Sequence, residues 1–314
     1  MGVAMGPSGK WIDGIDPDGS VVDAARLSLA ARLTAVAHWL PLAAYHAAQD
    51  VEHVHRLRVS TRRAVAALRL YRDWLPPAKF RWVKKRLKKI RRAAGEARDV
   101  DVLAERMRCE LGERAAPLLA ETHQLRDAAQ PAIVAVAEKC RRDDRFVRKI
   151  GKLLDGIRPP DQEGQPEKPV RFREWAERQI AQLAEAFFAH MPTADSDTAA
   201  LHQFRIRGKA LRYAIELLAP AFAPELRSEH YPVVEELQER LGNIQDCVAG
   251  GARLREWSRN TQAADARELL DELARQQDAR LAQFVAEFHE WWTPQRVETL
   301  KAGLLPAAKE VSNS

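Results

Sequence analysis

Val54-His-Arg-Leu-Arg-Val59 and Leu201-His-Gln-Phe-Arg-Ile206 decide how this chain is read. The second stretch repeats the first at an offset of 147 residues. The offset pairs His55 with His202, Arg58 with Arg205 and Arg62 with Lys209. Without a gap it also pairs Leu87 with Val234, Ile90 with Leu237, Gly95 with Gly242 and Asp99 with Asp246. One offset held over roughly fifty residues marks a duplicated unit.

The residue types say what that unit is made of. Ala (52) and Leu (33) far outnumber the 39 Val, Ile and Thr residues, which favours helix over sheet. The chain of 314 residues has the length of two medium domains. The fold class expected is all-α: two four-helix bundles related by a pseudo-twofold repeat. Periodicity predicts helices over about 20–49, 51–74, 78–94, 99–111 and 115–142. Ser20 is placed as an N-cap with Asp23 in the first turn. Gly95 is placed near the end of the third helix, and Asp99 is read as a cap of the next helix or a clamp on basic side chains. Gly156 to Pro169 holds four prolines and two glycines and is read as a linker. The domains expected are a segment 1–19, a first repeat 20–155, the linker 156–169, a second repeat 170–305 and a tail 306–314. Second-half helices are predicted at about 170–190, 198–218, 225–241, 246–259 and 263–292.

No stretch is expected to reach the roughly 20 apolar residues of a membrane span, and the start lacks the order of a signal peptide. Cys109, Cys140 and Cys247 form no metal-type pair and are read as helix packing. A reducing cytoplasm is the expected location. Trp291-Trp292 are placed in the core.

The net charge of +6 hides an asymmetry. Between Arg56 and Arg92 stand 15 Lys/Arg and one acid, Asp73, so this stretch is +14 and the remainder of the chain −8. On a helical wheel His55, Arg58, Arg62 and Arg69 share an arc of about 60°, and His202, Arg205, Lys209 and Arg212 one of about 80°. Arg81, Lys84, Lys85, Lys88, Arg91 and Arg92 share about 120°, well away from Val83, Leu87, Ile90 and Ala94. One face therefore packs while the other presents cations. Mutual repulsion raises the energy of such a surface until a polyanion relieves it and releases counterions. At the 147-residue offset these six cations become Ser228, Tyr231, Pro232, Glu235, Gln238 and Glu239, so the first half is expected to carry most of the anion affinity. Glu216 follows Arg212 by four residues, either as an orienting acid or as an ordinary surface pair. A metal role for Asp99 and Asp101 is disfavoured, because i and i+2 on a helix face apart.

His-x-x-Arg-Val-x-x-Arg-Arg from His55, Gly-x-x-Arg-Asp-x-Asp-Val at Gly95–Val102, and His-x-x-Arg-x-x-x-Lys-x-Leu-Arg-Tyr-x-x-Glu at His202–Glu216 resemble the CHAD domain, the conserved histidine α-helical domain. Leu241-Gly-x-x-x-Asp246 fits the same pattern. The resemblance covers about residues 20–300. It implies two four-helix bundles, a basic central groove that binds inorganic polyphosphate, and association with polyphosphate granules. By matching position it gives His55, Arg58, Arg62, His202, Arg205, Lys209 and Arg212 a phosphate-contact role. Arg63, Arg69, Arg81, Lys84, Lys85, Lys88, Arg91 and Arg92 extend that set through the basic surface, with Asp99, Glu216 and Asp246 as orienting acids. One departure stands out: where the family often has Arg-Arg-Leu-Arg, this chain has Arg62-Arg63-Ala64-Val65, so no contact is expected at Val65.

The expected function is non-enzymatic binding of polyphosphate or a similar phosphate-rich polyanion, with no cofactor and no metal. Nucleic-acid binding is the alternative, with Trp74, Trp82 and Tyr213 as candidate stacking residues. A hydrolase is disfavoured: no Glu-x-Glu occurs, and the basic region lacks the carboxylates that metal-assisted phosphoryl transfer needs.

Overall fold

The computed structural model describes residues 9–160, 170–193 and 196–305. Among them the chain is helical, with no strands beyond one isolated bridge between Ser20 and Arg171. The α-helices among the described residues are α1 (Val21–Tyr45), α2 (Glu52–Leu70), α3 (Pro77–Leu111), α4 (Ala116–Arg141), α5 (Arg145–Leu154), α6 (Phe172–Phe188), α7 (Thr198–Leu218), α8 (Tyr231–Asn260), α9 (Ala264–Trp291) and α10 (Pro294–Leu304). The chain forms two compact units, Met1–Trp175 and Ala176–Ser314, divided within the first turn of α6.

In the first unit α1 packs on α2 and α4, and α3 packs on α2 and α4, closing a four-helix bundle to which α5 is added. Ser20 caps α1 by accepting from the Asp23 amide at 3.1 Å, as the sequence indicates. α1 is long and apolar enough, by length and composition, to cross a membrane, which corrects the expectation that no stretch approaches this. The physical reason is its place in the bundle: 61% of its most apolar window is buried, over a wide arc, which leaves only a narrow exposed side with Asp23, Arg26, Thr34 and His38. Its one deeply buried cation, Arg32, donates to the carbonyls of Gly9 and Lys10 at 2.7 and 2.6 Å. Tyr71, Trp74, Phe172 and Trp175 form an aromatic cluster under the ends of α2 and α6.

Of the predicted linker, residues 161–169 lie outside the described part. The residues before them belong to the first unit: Ile157 is buried, and the Arg158 amide donates to the Trp74 carbonyl at 3.2 Å. On the far side, the amides of Phe172 and Arg173 donate to the Gly19 and Pro17 carbonyls at 2.9 and 3.0 Å.

The second unit is built on α8, which packs on α7 and α9. Phe187, Phe204, Phe288 and Trp292 form its aromatic core, with Phe187 stacked on Phe204 at 4.6 Å. Trp292 packs against Phe187, Phe204 and Phe288 but is half-buried, short of the core burial expected. Trp291 instead lies between two guanidinium groups, those of Arg240 at 4.9 Å and Arg296 at 4.4 Å.

Two predicted helix breaks are absent. Helix α3 runs unbroken through Gly95 and Asp99, and α8 runs through Gly242 and Asp246. Neither aspartate therefore caps a helix. Two helices were also not anticipated, α5 and α10, each too short for its periodicity to stand out. Cys140 and Cys247 are buried as expected, whereas Cys109 is exposed because it falls on the outer face of α3.

Candidate functional site

Within the first unit the site is built on α2 and α3. Leu57, Thr61, Ala64 and Leu68 turn one face of α2 into the core, which leaves His55, Arg58, Arg62 and Arg63 half-buried along its edge and Arg69 exposed. Arg58 lies across α3. Its Nη1 donates to the Ala94 carbonyl at 3.5 Å, and its Nη2 stands 3.5 Å from Asp99 Oδ1. A methyl group added at Gly95 would meet that Nη1 at 3.1 Å. Gly95 is thus the seat of the Arg58 guanidinium, and this is why a helix of good formers carries a glycine costing about 1 kcal/mol there. Asp99 acts as the clamp that the sequence offered as one of two roles.

On α3 the residues Phe80, Val83, Leu87, Ile90 and Ala94 are buried, as the wheel requires. Arg81, Lys85, Lys88, Arg91 and Arg92 are exposed on the other side, and none of them reaches a carboxylate among the described residues. Lys84 is half-buried, its ammonium 5.3 Å above the Phe80 ring. His55 titrates below its ordinary value, first because burial disfavours the charged ring and then because Arg98, Arg62 and Arg58 stand near it. Glu52 opposes this only in part. The ring is therefore neutral near pH 7 in the empty protein. Asp99 and Asp101 diverge: Asp101 turns to α4, where it accepts from Arg126 Nε at 2.9 Å. Arg126 in turn donates to Gln130, whose amide donates to the Ala43 and Ala44 carbonyls at the end of α1.

In the second unit α7 and α8 take the corresponding places. Asp197 caps α7 by accepting from the Ala200 amide at 2.8 Å. His202 Nδ1 is hydrogen-bonded to Gln245 Oε1, so the ring donates from Nδ1 and leaves Nε2 for another partner. Arg205 Nη2 lies 3.8 Å from where a methyl at Gly242 would stand, a looser version of the Arg58 seat. Lys209 is half-buried, and Asp246 is exposed one turn beyond Gly242.

Arg212 is embedded in acids. Its Nε is 3.9 Å from Glu216 Oε1 and its Nη1 is 4.0 Å from Glu235 Oε1. Tyr231 donates to Glu216 at 2.9 Å and also lies 3.3 Å from Glu235. Burial and these carboxylates push the Tyr231 phenol well above its ordinary range, so it stays a donor. Glu216 is only 1% exposed. That excludes the ordinary surface pair and makes Glu216 a buried anion held by Arg212 and Tyr231. Three partners were not singled out from the sequence as site residues: Tyr231, Glu235 and Gln245. The 147-residue offset places them where Lys84, Lys88 and Arg98 stand in the first unit.

The aromatic candidates separate. Trp74 is buried and Tyr213 is 9% exposed, so neither offers a free stacking face. Trp82 is half-buried against Arg86 and Lys149.

Both units are all-helical, and the first sets two basic helices, α2 and α3, side by side. The chain belongs to the CHAD domain family, whose profile matches residues 28–255. The fold is similar to that of the CHAD domain from the plant Ricinus communis in its crystal structure, with a TM-score of 0.65 and 22% identity, over 95% of this chain and 96% of that one. It is also similar to PptA from Streptomyces chartreusis, with a TM-score of 0.59 and 18% identity, over 87% of this chain and 99% of that one. No curated protein matches the sequence.

Proposed function

We propose that this protein binds inorganic polyphosphate without chemical conversion, chiefly through the first unit, and associates through it with polyphosphate granules in the cytoplasm. The supporting observation is the outer face of α3, where five exposed cations share one side of a helix whose other side is core. Such a face gains little from folding and much from a polyanion: each charge-assisted bond to a phosphate oxygen is worth roughly 1.5–3 kcal/mol, and counterion release adds to it. Arg58, Arg62 and His55 border that face on α2, with Arg63 and Arg69 further along the helix. His202, Arg205 and Lys209 supply a smaller cationic edge in the second unit. Arg212 contributes less, since Glu216 and Glu235 already partner it.

The test is titration with long-chain polyphosphate at two salt concentrations. Wild type binds at micromolar concentration or below and weakens steeply with salt. Lys84→Glu/Lys88→Glu/Arg91→Glu loses binding by 100-fold or more, on the order of 3 kcal/mol. Unchanged binding by this variant overturns the assignment. Competition by DNA and RNA at matched phosphate decides the nucleic-acid alternative, which equal affinity would favour. Phosphate release with Mg²⁺ or Mn²⁺ would instead make the protein a hydrolase.

A further inference from the structure

Helix α5 lies outside the motifs, yet it carries a second cationic stripe of the first unit. Its only charged residues are Arg145, Arg148, Lys149 and Lys152. At 100° per residue these four fall within an arc of about 100°, while Phe146, Ile150 and Leu153 are buried on another side. Arg145, Arg148 and Lys152 are exposed. The acids nearby, Asp143, Asp144 and Asp155, stand at the two ends of the helix and not along the stripe.

The stripe is continuous with α3. Lys149 Nζ and the Arg86 guanidinium both approach the Trp82 ring, at 5.6 and 5.3 Å from its centre. Lys79 Nζ donates to the Lys152 carbonyl at 2.7 Å. Lys79, Trp82, Arg86 and Lys89 occupy one flank of α3, about 80° wide, and Lys89 lies about 40° beyond Lys85 at the edge of the outer face. Cations thus run from α2 over α3 to α5 within the first unit.

The fold does not require them. At the 147-residue offset Arg145, Arg148, Lys149 and Lys152 become Trp292, Gln295, Arg296 and Thr299, and α10 forms over Pro294–Leu304 without the stripe. Trp82, Arg86 and Lys89 become Glu229, Val233 and Glu236. Concentrated like charge that the scaffold can dispense with raises the energy of the empty protein, and an anion is what would offset it.

We propose that α5 and the adjoining flank of α3 form a second phosphate subsite, reached by a polyphosphate chain that has already engaged the outer face of α3 and crosses it. This rests on the polyphosphate reading given above and adds chain-length selection to it. The second engagement is intramolecular, so a chain long enough to span both faces gains affinity that a short one does not.

The full chain and an Arg148→Glu/Lys152→Glu variant are titrated with long-chain polyphosphate and with tripolyphosphate at two salt concentrations. The expected result is a loss of about tenfold or more in long-chain affinity. The logarithmic salt slope falls by about 1.4, two contacts' worth for a single strand. The ratio of long-chain to tripolyphosphate affinity collapses. Unchanged long-chain affinity overturns the proposal. Equal losses for both ligands overturn it too, since that is general electrostatics and not a track. Arg148→Gln/Lys152→Gln gives the same readout should charge reversal impair folding. If the Lys84→Glu/Lys88→Glu/Arg91→Glu variant keeps its binding, the parent reading fails; if only the α5 variant does, the parent reading stands and this one falls.

Discussion

Four positions, compared between the two units, show two opposite treatments of charge. In the first unit they hold Val65, Arg69, Lys84 and Lys88; in the second, at the 147-residue offset, they hold Arg212, Glu216, Tyr231 and Glu235. The first set carries three cations and no acid, with Arg69 and Lys88 exposed. The second set carries one cation and two acids joined through a phenol, and its Glu216 is buried. In the first set Arg69 and Lys88 face solvent and pair with no acid of the set. The second has drawn its anions from its own side chains. The difference teaches that charge at these positions is either satisfied internally, where it serves the fold, or left for a ligand, where it does not.

That contrast can be broken first by stability. Glu216→Ala removes the shared partner of Arg212 and Tyr231 from a buried site. The expected loss is about 2 kcal/mol, because the half-buried Arg212 and the buried Tyr231 hydroxyl are left with the more distant Glu235. Arg69→Ala at the matching exposed position is expected to change stability by less than about 0.5 kcal/mol. Urea denaturation of both variants measures the pair; equal losses would erase the distinction between the units.

A smaller effect comes from converting one unit toward the other. Glu235→Lys restores the charge found at Lys88 and releases Arg212 from one of its acids. Polyphosphate affinity is expected to rise about fivefold, with a steeper salt slope by about 0.7. Lower affinity would mean that Glu235 orients Arg212 for binding instead of withholding it.

The glycines give a finer test. Gly95→Ala sets a methyl 3.1 Å from the Arg58 guanidinium, which must give by a few tenths of an ångström, whereas at Gly242 the nearest Arg205 atom is at 3.8 Å, ordinary contact. Gly95→Ala is expected to weaken polyphosphate binding severalfold. Gly242→Ala is expected to leave binding unchanged and to stabilise helix α8 by up to about 1 kcal/mol. Titration and thermal melting of the two variants separate a seat from a spacer.

The smallest effect is pH-dependent. His55 has a folded-state value below its unfolded one, so the empty folded protein binds fewer protons than the unfolded chain just below pH 6.5. Its contribution to stability is therefore present above that pH and is lost as pH falls through the window. Bound polyanion reverses the sign, since it favours the protonated ring, and affinity rises on acidification. Melting and titration of wild type and His55→Gln from pH 7.5 to about 5 check both signs; the histidine-dependent part should vanish in the variant.

Much of the fold and part of the site could be read in advance, and particular residues show where reading failed. The helices of α1, α2, α4, α7 and α9 follow from apolar spacing that is strong over many turns. Gly95 and Gly242 misled, because in sequence a glycine near a motif looks like a terminus. In space, Gly95 makes room for a guanidinium from another helix. Glu216 was placed correctly one turn from Arg212, but a wheel cannot distinguish an outer acid from one sealed under Tyr231, which comes from a different helix. Arg145, Arg148, Lys149 and Lys152 went unread because ten residues give a weak period, and their meaning depends on lying against Trp82 and Arg86.

The sequence by itself determined the helical class, the 147-residue spacing of its two motif sets, the family and the uneven distribution of charge, since all of these are properties of composition and spacing along the chain. Only the tertiary structure decided which cations stay open and which are already satisfied. That depends on side chains from separate helices meeting within a few ångströms, where burial and pairing outweigh the position of a residue in its own helix.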